Sequence, residues 1–239
     1  MGDDWQSGKI SVIGTATPPD RPARPEKPVL LAPREMPKRG KAGSETGRIA
    51  LLHALAHIEF NAVDLACDLI ARFASPNLPT RFFDDWVVVA EEEAIHFTLI
   101  SERLCSLGSS YGALPAHDGL WEAAIETRHD LLARLAIVPL VLEARGLDVT
   151  PVMIKNLEAA GDKQSVAILQ RIYKDEIGHV AAGERWFTWM CHEQALDPTE
   201  TYHRLVRRYF RGRLKPPFNR EARKAAGLEP GYYEPLSID

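Results

Sequence analysis

The sequence predicts an all-α chain built on a four-helix bundle. From Thr46 onward, apolar residues recur at helical spacing and helix formers outnumber strand formers in every long segment. Four such segments, roughly 26–33 residues each, are separated by clusters of Pro, Gly, Asn and Asp, and antiparallel bundling is the economical way to bury their apolar stripes. The composition suits a folded chain: 239 residues, 45% hydrophobic and 26% charged.

Residues 1–43 are expected to form an extended basic arm, because Pro18, Pro19, Pro22, Pro25, Pro28, Pro33 and Pro37 deny it helical hydrogen bonds. Ser44 is a natural N-cap for a first helix reaching Phe73, closed by Ser75, Pro76, Asn77, Leu78 and Pro79. The second helix is predicted from Thr80 to Leu107, before Gly108. Asp118 caps a third that continues to Arg145 and stops at Gly146. A short helix is predicted from Pro151 to Ala160 after Thr150, and Gly161 and Asp162 open the fourth long helix, reaching Gln194. The bundle thus occupies 44–197, and 198–239 hold a basic helix opened by Pro198 and Thr199 and then a wrapping tail.

Charge is partitioned along the chain: about -2 over 1–20, +5 over 21–48, -12 over 49–202, +8 over 203–224 and -3 over 225–239. The basic arms either neutralise their own acidic domain or present Arg207, Arg208 and Arg211, beside Tyr209 and Phe210, to a polyanion such as RNA. The longest uncharged apolar run, Leu135 to Leu142, is far short of the ~20 residues a bilayer needs and contains Pro139. No membrane partner is therefore expected. The first 20 residues lack a basic stretch followed by an apolar one, and Cys67, Cys105 and Cys191 are odd in number and scattered, so a cytoplasmic protein with reduced thiols is expected.

The informative acids are those on apolar faces, because a buried carboxylate needs a pair, a proton or a metal. Glu-x-x-His occurs four times, and context sorts the occurrences. Glu93/His96 and Glu176/His179 are framed by Val, Ile, Ala and Leu. Glu126/His129 lies among charges and Glu200/His203 opens the basic arm, so both read as solvated or capping residues, with His129 alone a candidate for an interior position. Glu59 and Glu143 are each the lone acid of a long apolar stretch. Glu59 precedes Glu93 by 34 residues and Glu143 precedes Glu176 by 33, which is an internal repeat. Residues equidistant from a hairpin turn sit at one height, and the midpoints fall at Pro76 and just before Gly161. Each hairpin therefore levels a glutamate with a Glu-x-x-His pair. Four carboxylates and two imidazoles form the ligand set of a dinuclear site: Glu59, Glu93, His96, Glu143, Glu176 and His179. Hard oxygen donors with imidazole suit two irons, or one manganese and one iron.

Around these, Asp175 and Glu92 precede ligand glutamates and are placed to orient His96 and His179 respectively. Pro139, one turn before Glu143, cannot bond the Leu135 carbonyl, so the helix is expected to kink and open a way in. Tyr173, one turn before Glu176, is a candidate pocket residue. His53 and His57 read as hydrogen-bonded structural residues, with access to the site as the alternative for His57.

The order Glu, Glu-x-x-His, Glu, Asp-Glu-x-x-His resembles that of the ferritin-like di-iron carboxylate superfamily. More closely, the chain resembles the bacterial family known as domain of unknown function 455, through His53–Glu59, Glu92–Phe97, Leu142–Pro151, Tyr173–Val180, Pro217-Phe218-Asn219 and Ala222-Arg223. The resemblance covers about 20–235 and implies two helical hairpins joined by a crossover. Ribonucleotide reductase small subunits of the superfamily carry a radical tyrosine where this chain has Ile100, and rubrerythrin-like proteins commonly add Cys-x-x-Cys pairs absent here. The di-iron tRNA hydroxylase is the nearest functional analogue in size and organisation. The resemblance thus implies an oxidoreductase of the monooxygenase or hydroxylase type, acting with dioxygen or peroxide, an electron donor and a small-molecule or RNA substrate, as a monomer or homodimer. Two other classes stay open: a ferroxidase or peroxide-scavenging protein, and a non-enzymatic, metal-stabilised polyanion-binding module.

Overall fold

The computed structural model describes residues 2–10, 12–37 and 43–237, and these are all-helical, with no strand beyond the isolated bridges Leu30/Ala116 and Leu214/Ser237. The part of the predicted arm at 38–42 and the end of the tail at 238–239 lie outside the described residues. The helices are α1 (Gly2–Gln6), α2 (Glu45–Arg72), α3 (Thr80–Ser106), α4 (Gly119–Glu126), α5 (Leu131–Ile137), α6 (Ala144–Ala159), α7 (Lys163–Glu193), α8 (Pro198–Tyr209), α9 (Arg220–Ala225) and α10 (Pro230–Tyr233). They fall into two compact units, 1–122 with 155–168, and 123–154 with 169–239.

In the first unit, α2 and α3 form the expected hairpin about Pro76. Ser44 caps α2 by accepting from the Gly47 amide at 3.1 Å, and Gly108 closes the second arm of the hairpin with φ 74°. Leu52, Ala56, Phe82, Ile100 and Leu104 are fully buried between them. The proline-rich segment is extended, as predicted, apart from one 3-10 turn at Pro33–Glu35. It is tied to its own unit at successive points: Pro19 carbonyl to Arg72 (2.7 Å), Asp20 carbonyl to the Trp121 indole (2.9 Å), Arg24 to Asp64 and Asn61, and the Leu31 amide to Ala116 carbonyl (2.8 Å). Helix α1, which the sequence reading left within the arm, is anchored on α3 by Trp5 to Asp84 and Gln6 to Glu91, both 2.7 Å.

Helix α2 is long and apolar enough to cross a membrane by length and composition, although its apolar residues are interrupted by polar ones. Its His53, His57, Glu59, Asn61 and Asp68 are buried against partners in the same unit, the pattern of a core helix.

The second unit corrects the predicted third helix. Instead of one rod from Asp118 to Arg145, there is a break at 127–130. Helix α4 begins directly after Asp118, as predicted, and Asp130 caps α5 beyond the break, accepting from the Ala133 amide at 3.2 Å. Buried Arg134 donates to the Ala124 carbonyl (2.8 Å) and Thr127 hydroxyl (3.1 Å), satisfying the end of α4 that the break exposes. Nor does the chain stop at Gly146: α6 continues through Pro151, absorbing the separate short helix predicted there. Asp197 caps α8 through the Glu200 amide at 2.8 Å, and the predicted tail contains α9, α10 and a 3-10 turn at Glu234–Leu236.

Candidate metal centre

In the first unit, α2 presents Glu59 and α3 presents Glu93 and His96, with fractional exposures of 3%, 1% and 0%. The hairpin register puts them level, as the midpoint at Pro76 requires. His96 Nδ1 lies 3.3 Å from Glu59 Oε2 and 3.5 Å from Glu93 Oε2, and one ligand atom of each residue lies within 4.8 Å of the others. Burial and the neighbouring Glu93 charge push the Glu59 carboxyl up to about 8, against the His96 bond. Burial alone would lower the His96 pKa, but the Glu59 and Glu93 carboxylates outweigh it and raise the imidazole to about 10. The group therefore carries protons at neutral pH where a cation would serve the same electrostatic purpose. Two carboxylates and one imidazole, buried and convergent, could hold a metal ion.

In the second unit, α7 carries Glu176 and His179 on one face, with His179 Nδ1 3.8 Å from Glu176 Oε1. Glu143 is half-buried on the segment before α6. Contacts on either side show the register of the second hairpin. Asn219 Nδ2 reaches both the Leu147 carbonyl (3.2 Å) and the Tyr173 hydroxyl (2.8 Å), while a Cβ added at Gly183 would meet Pro139 Cβ at 2.4 Å. Residues equidistant from the turn near Gly161 are thus at one height, and Glu143 and Glu176 belong to that series.

Pro139 acts as its missing N–H dictates, though the outcome is a widened helix rather than a simple kink. Val138–Glu143 winds as a π-helix, with the Ala144 amide bonding five residues back to the Pro139 carbonyl. A regular α-turn would pair Ala144 with the Leu140 carbonyl, which here accepts the hydroxyl of buried Tyr202 at 3.1 Å. Pro151 likewise leaves the Leu147 carbonyl without its helical donor, and Asn219 supplies one. Pro139 itself is buried.

Two of these carbonyl donors, Tyr202 and Asn219, were missed from sequence, as was the pair behind them. Arg223 makes a bidentate bond to Asp148 (2.9 and 2.7 Å), reaches the Ala144 carbonyl at 3.3 Å and lies over the rings of Phe218 and Tyr233. The available signal was that Pro151 leaves the Leu147 carbonyl needing a donor; the Leu140 carbonyl is freed by the π-turn, which sequence did not announce. Which residues act as donors depends on where α8 and the chain after it pack.

The remaining candidates are placed as follows. Asp175 bonds Arg171 on its own helix, and Glu92 and Tyr173 are half-buried on α3 and α7. His53 accepts from the Gly112 and Leu114 amides at 3.0 and 3.3 Å, which is the structural role expected. His57 bonds the Tyr111 hydroxyl (2.9 Å) and the His117 carbonyl (3.2 Å), and both rings line a cavity of about 300 Å³ under Arg24, Pro28 and Val29. His129 is exposed and bonds the Tyr209 hydroxyl at 3.1 Å, so it is not interior. His203 bonds the Gly231 carbonyl at 2.9 Å. Arg207, Arg208 and Arg211 are exposed, and Arg211 is paired with Glu126 at 2.9 Å.

Burial lowers the His57 pKa to about 4, against the His117 carbonyl bond that favours its protonated form. An unfolded histidine protonates near 6.5, so stability present above pH 6.5 is lost as pH falls from 6.5 through 4. The limiting slope is about 1.4 kcal/mol per pH unit. Urea unfolding at pH 7, 6 and 5 should show this loss, and the His57 ring should stay neutral in NMR titration to near pH 5. A His57 titration near 6.5 would contradict the assignment.

The class this defines is an all-α protein with a buried Glu/His cluster able to bind a metal ion. Residues 1–234 match the family described as "Protein of unknown function (DUF455)", and the chain belongs to that family. An uncharacterized protein of Haemophilus influenzae (strain ATCC 51907 / DSM 11121 / KW20 / Rd) is 45% identical over 211 residues, 86% of this chain and 73% of the relative. No solved structure matches the chain.

Proposed function

We propose that the protein is a ferritin-like dinuclear metal carboxylate oxidoreductase that activates dioxygen, with Glu59, Glu93, His96, Glu143, Glu176 and His179 holding two irons, or a manganese and an iron. The observation that carries this reading is the buried Glu59/Glu93/His96 cluster, two carboxylates and an imidazole converging out of water as a hard cation requires. Its support is the sequence repeat, by which the second hairpin offers the same three residue types at the same relative heights. Asp175 and Glu92 are proposed to orient His96 and His179.

The bound metals would supply the electrons that reduce dioxygen. The chain's own contribution is a dry, pre-arranged site. Apolar packing around Glu59 and Glu93 excludes water, and carboxylates can change coordination mode as metal charge changes. The π-turn at Val138–Glu143 leaves Glu143 on a widened stretch of helix, where its backbone is fixed by Tyr202 and Arg223 instead of by regular helical bonds. Proton release accompanies metal uptake, because Glu59 and His96 must both give up protons to serve as ligands; uptake therefore strengthens as pH rises through 8 and toward 10.

The test is reaction of anaerobically Fe(II)-loaded protein with dioxygen, followed by oxygen uptake and optical absorption. A hydroxylase reacts once and then cycles poorly without substrate and an electron donor. Sustained turnover with Fe(II) and peroxide alone would replace this reading with a ferroxidase or peroxide scavenger, and no reaction at all would overturn it.

A further inference from the structure

The second unit uses its acids and carbonyls to engage most of its guanidinium groups. Arg145 and Arg223 share Asp148, Arg171 pairs with Asp175, Arg211 with Glu126, and Arg220 with Glu234. Arg207 and Arg213 are the contrast. Both are exposed, and neither makes an ion pair with a described residue. Both line one cavity of about 330 Å³ with Phe210, Gly212, Leu214 and Ser237, and among the described residues no acidic side chain lines it. That volume is at the lower end of the range for small-ligand pockets.

Local structure explains why the two come together. Helix α8 buries Thr201, Tyr202, Leu205 and Val206, so Arg204, Arg207 and Arg208 must occupy the opposite, solvent face. The helix ends at Tyr209, the Phe210 ring packs against Gly212, and Leu214 then bridges to Ser237, which returns Arg213 to the wall that Arg207 already forms. Two guanidinium groups on the wall of one cavity offer an anion a paired donor set, and planar guanidinium forks match phosphate oxygens.

The geometry points to a phosphate-binding site at the α8 C-terminus, with Arg207 and Arg213 as its ligands and a phosphate ester as its ligand class. Arg211, which charge counting grouped with Arg207, is excluded from it by its pairing with Glu126. The site does not depend on the metal reading.

Binding of inorganic phosphate and of a short, fluorescently labelled single-stranded RNA to the full chain at low salt tests this. We expect binding of one or both, weakened about tenfold by Arg207→Gln and by Arg213→Gln. Arg211→Gln should change it less than about twofold, and all three exposed substitutions should leave thermal unfolding unchanged. Phosphate binding without tighter RNA binding identifies a small phosphorylated ligand. Tighter RNA binding, displaced by phosphate and falling steeply with salt, identifies a polynucleotide. Absence of binding by either probe at 10 mM phosphate or ~0.1 mM RNA, or equal losses in all three variants, would overturn the site.

Discussion

Arg223→Ala should lower the free energy of unfolding in urea by about 3–5 kcal/mol, the range for breaking a buried ion pair from one side. The side chains of Arg223 and Asp148 are 4% and 0% exposed, so the substitution leaves the Asp148 carboxylate buried. Asp148 then keeps only the Asn219 amide at 2.9 Å and the longer Arg145 contact at 3.3 Å. Packing adds to the loss, because the guanidinium fills the space between Phe218 and Tyr233 at 5.0 and 4.5 Å from their ring centres. Removing both partners at once should cost less than the sum of the single losses, as no charge is then stranded. A single-variant loss below about 1 kcal/mol would mean that the pair is solvated in solution.

This pair also bears on function. Arg223 reaches the Ala144 carbonyl, the residue after Glu143, and Asn219, four residues before Arg223, holds Tyr173 one turn before Glu176. The segment after α8 therefore fixes both helices of the second hairpin at the level of their glutamates.

How much of this could be read from sequence follows from the range of the interactions. Ser44, Pro76 and Gly108 act on their neighbours, so the ends of α2 and α3 were legible, and hairpin arithmetic then placed Glu59 beside His96. About Gly161, Leu147 and Tyr173 share Asn219 and Gly183 lies against Pro139, the pairs that the same arithmetic levels. Gly146 and Pro151 misled because their local preference for ending a helix is overridden by distant partners. Leu147 is fully buried, and the carbonyl that Pro151 frees is satisfied by Asn219, 72 residues away in sequence. Likewise, the break at 127–130 depends on buried Arg134, which donates to Thr127 and to the Ala124 carbonyl across the break. The basic arm was legible as charge only. Its division into paired Arg211 and unpaired Arg207 required the position of Glu126.

The second large effect is on metal content, and it tests the central claim that these six residues hold two metals. Glu93 is 1% exposed and His179 is 1% exposed, so truncation of either removes a donor that water cannot readily replace from bulk. Glu93→Ala strikes the cluster of the first unit, where His96 would lose the Glu93 carboxylate 3.5 Å from its Nδ1. His179→Ala strikes the second, leaving Glu176 with no imidazole at i+3. Each variant should remain helical by circular dichroism, because each removes a polar group whose burial is costly without a ligand. The measurement is iron per chain by mass spectrometry after anaerobic loading with Fe(II), made on the parent and both variants. The account predicts about two equivalents in the parent and a clear loss in each variant. Less than about 0.2 equivalent in all three, or a single equivalent lost in Glu93→Ala but retained in His179→Ala, would contradict it.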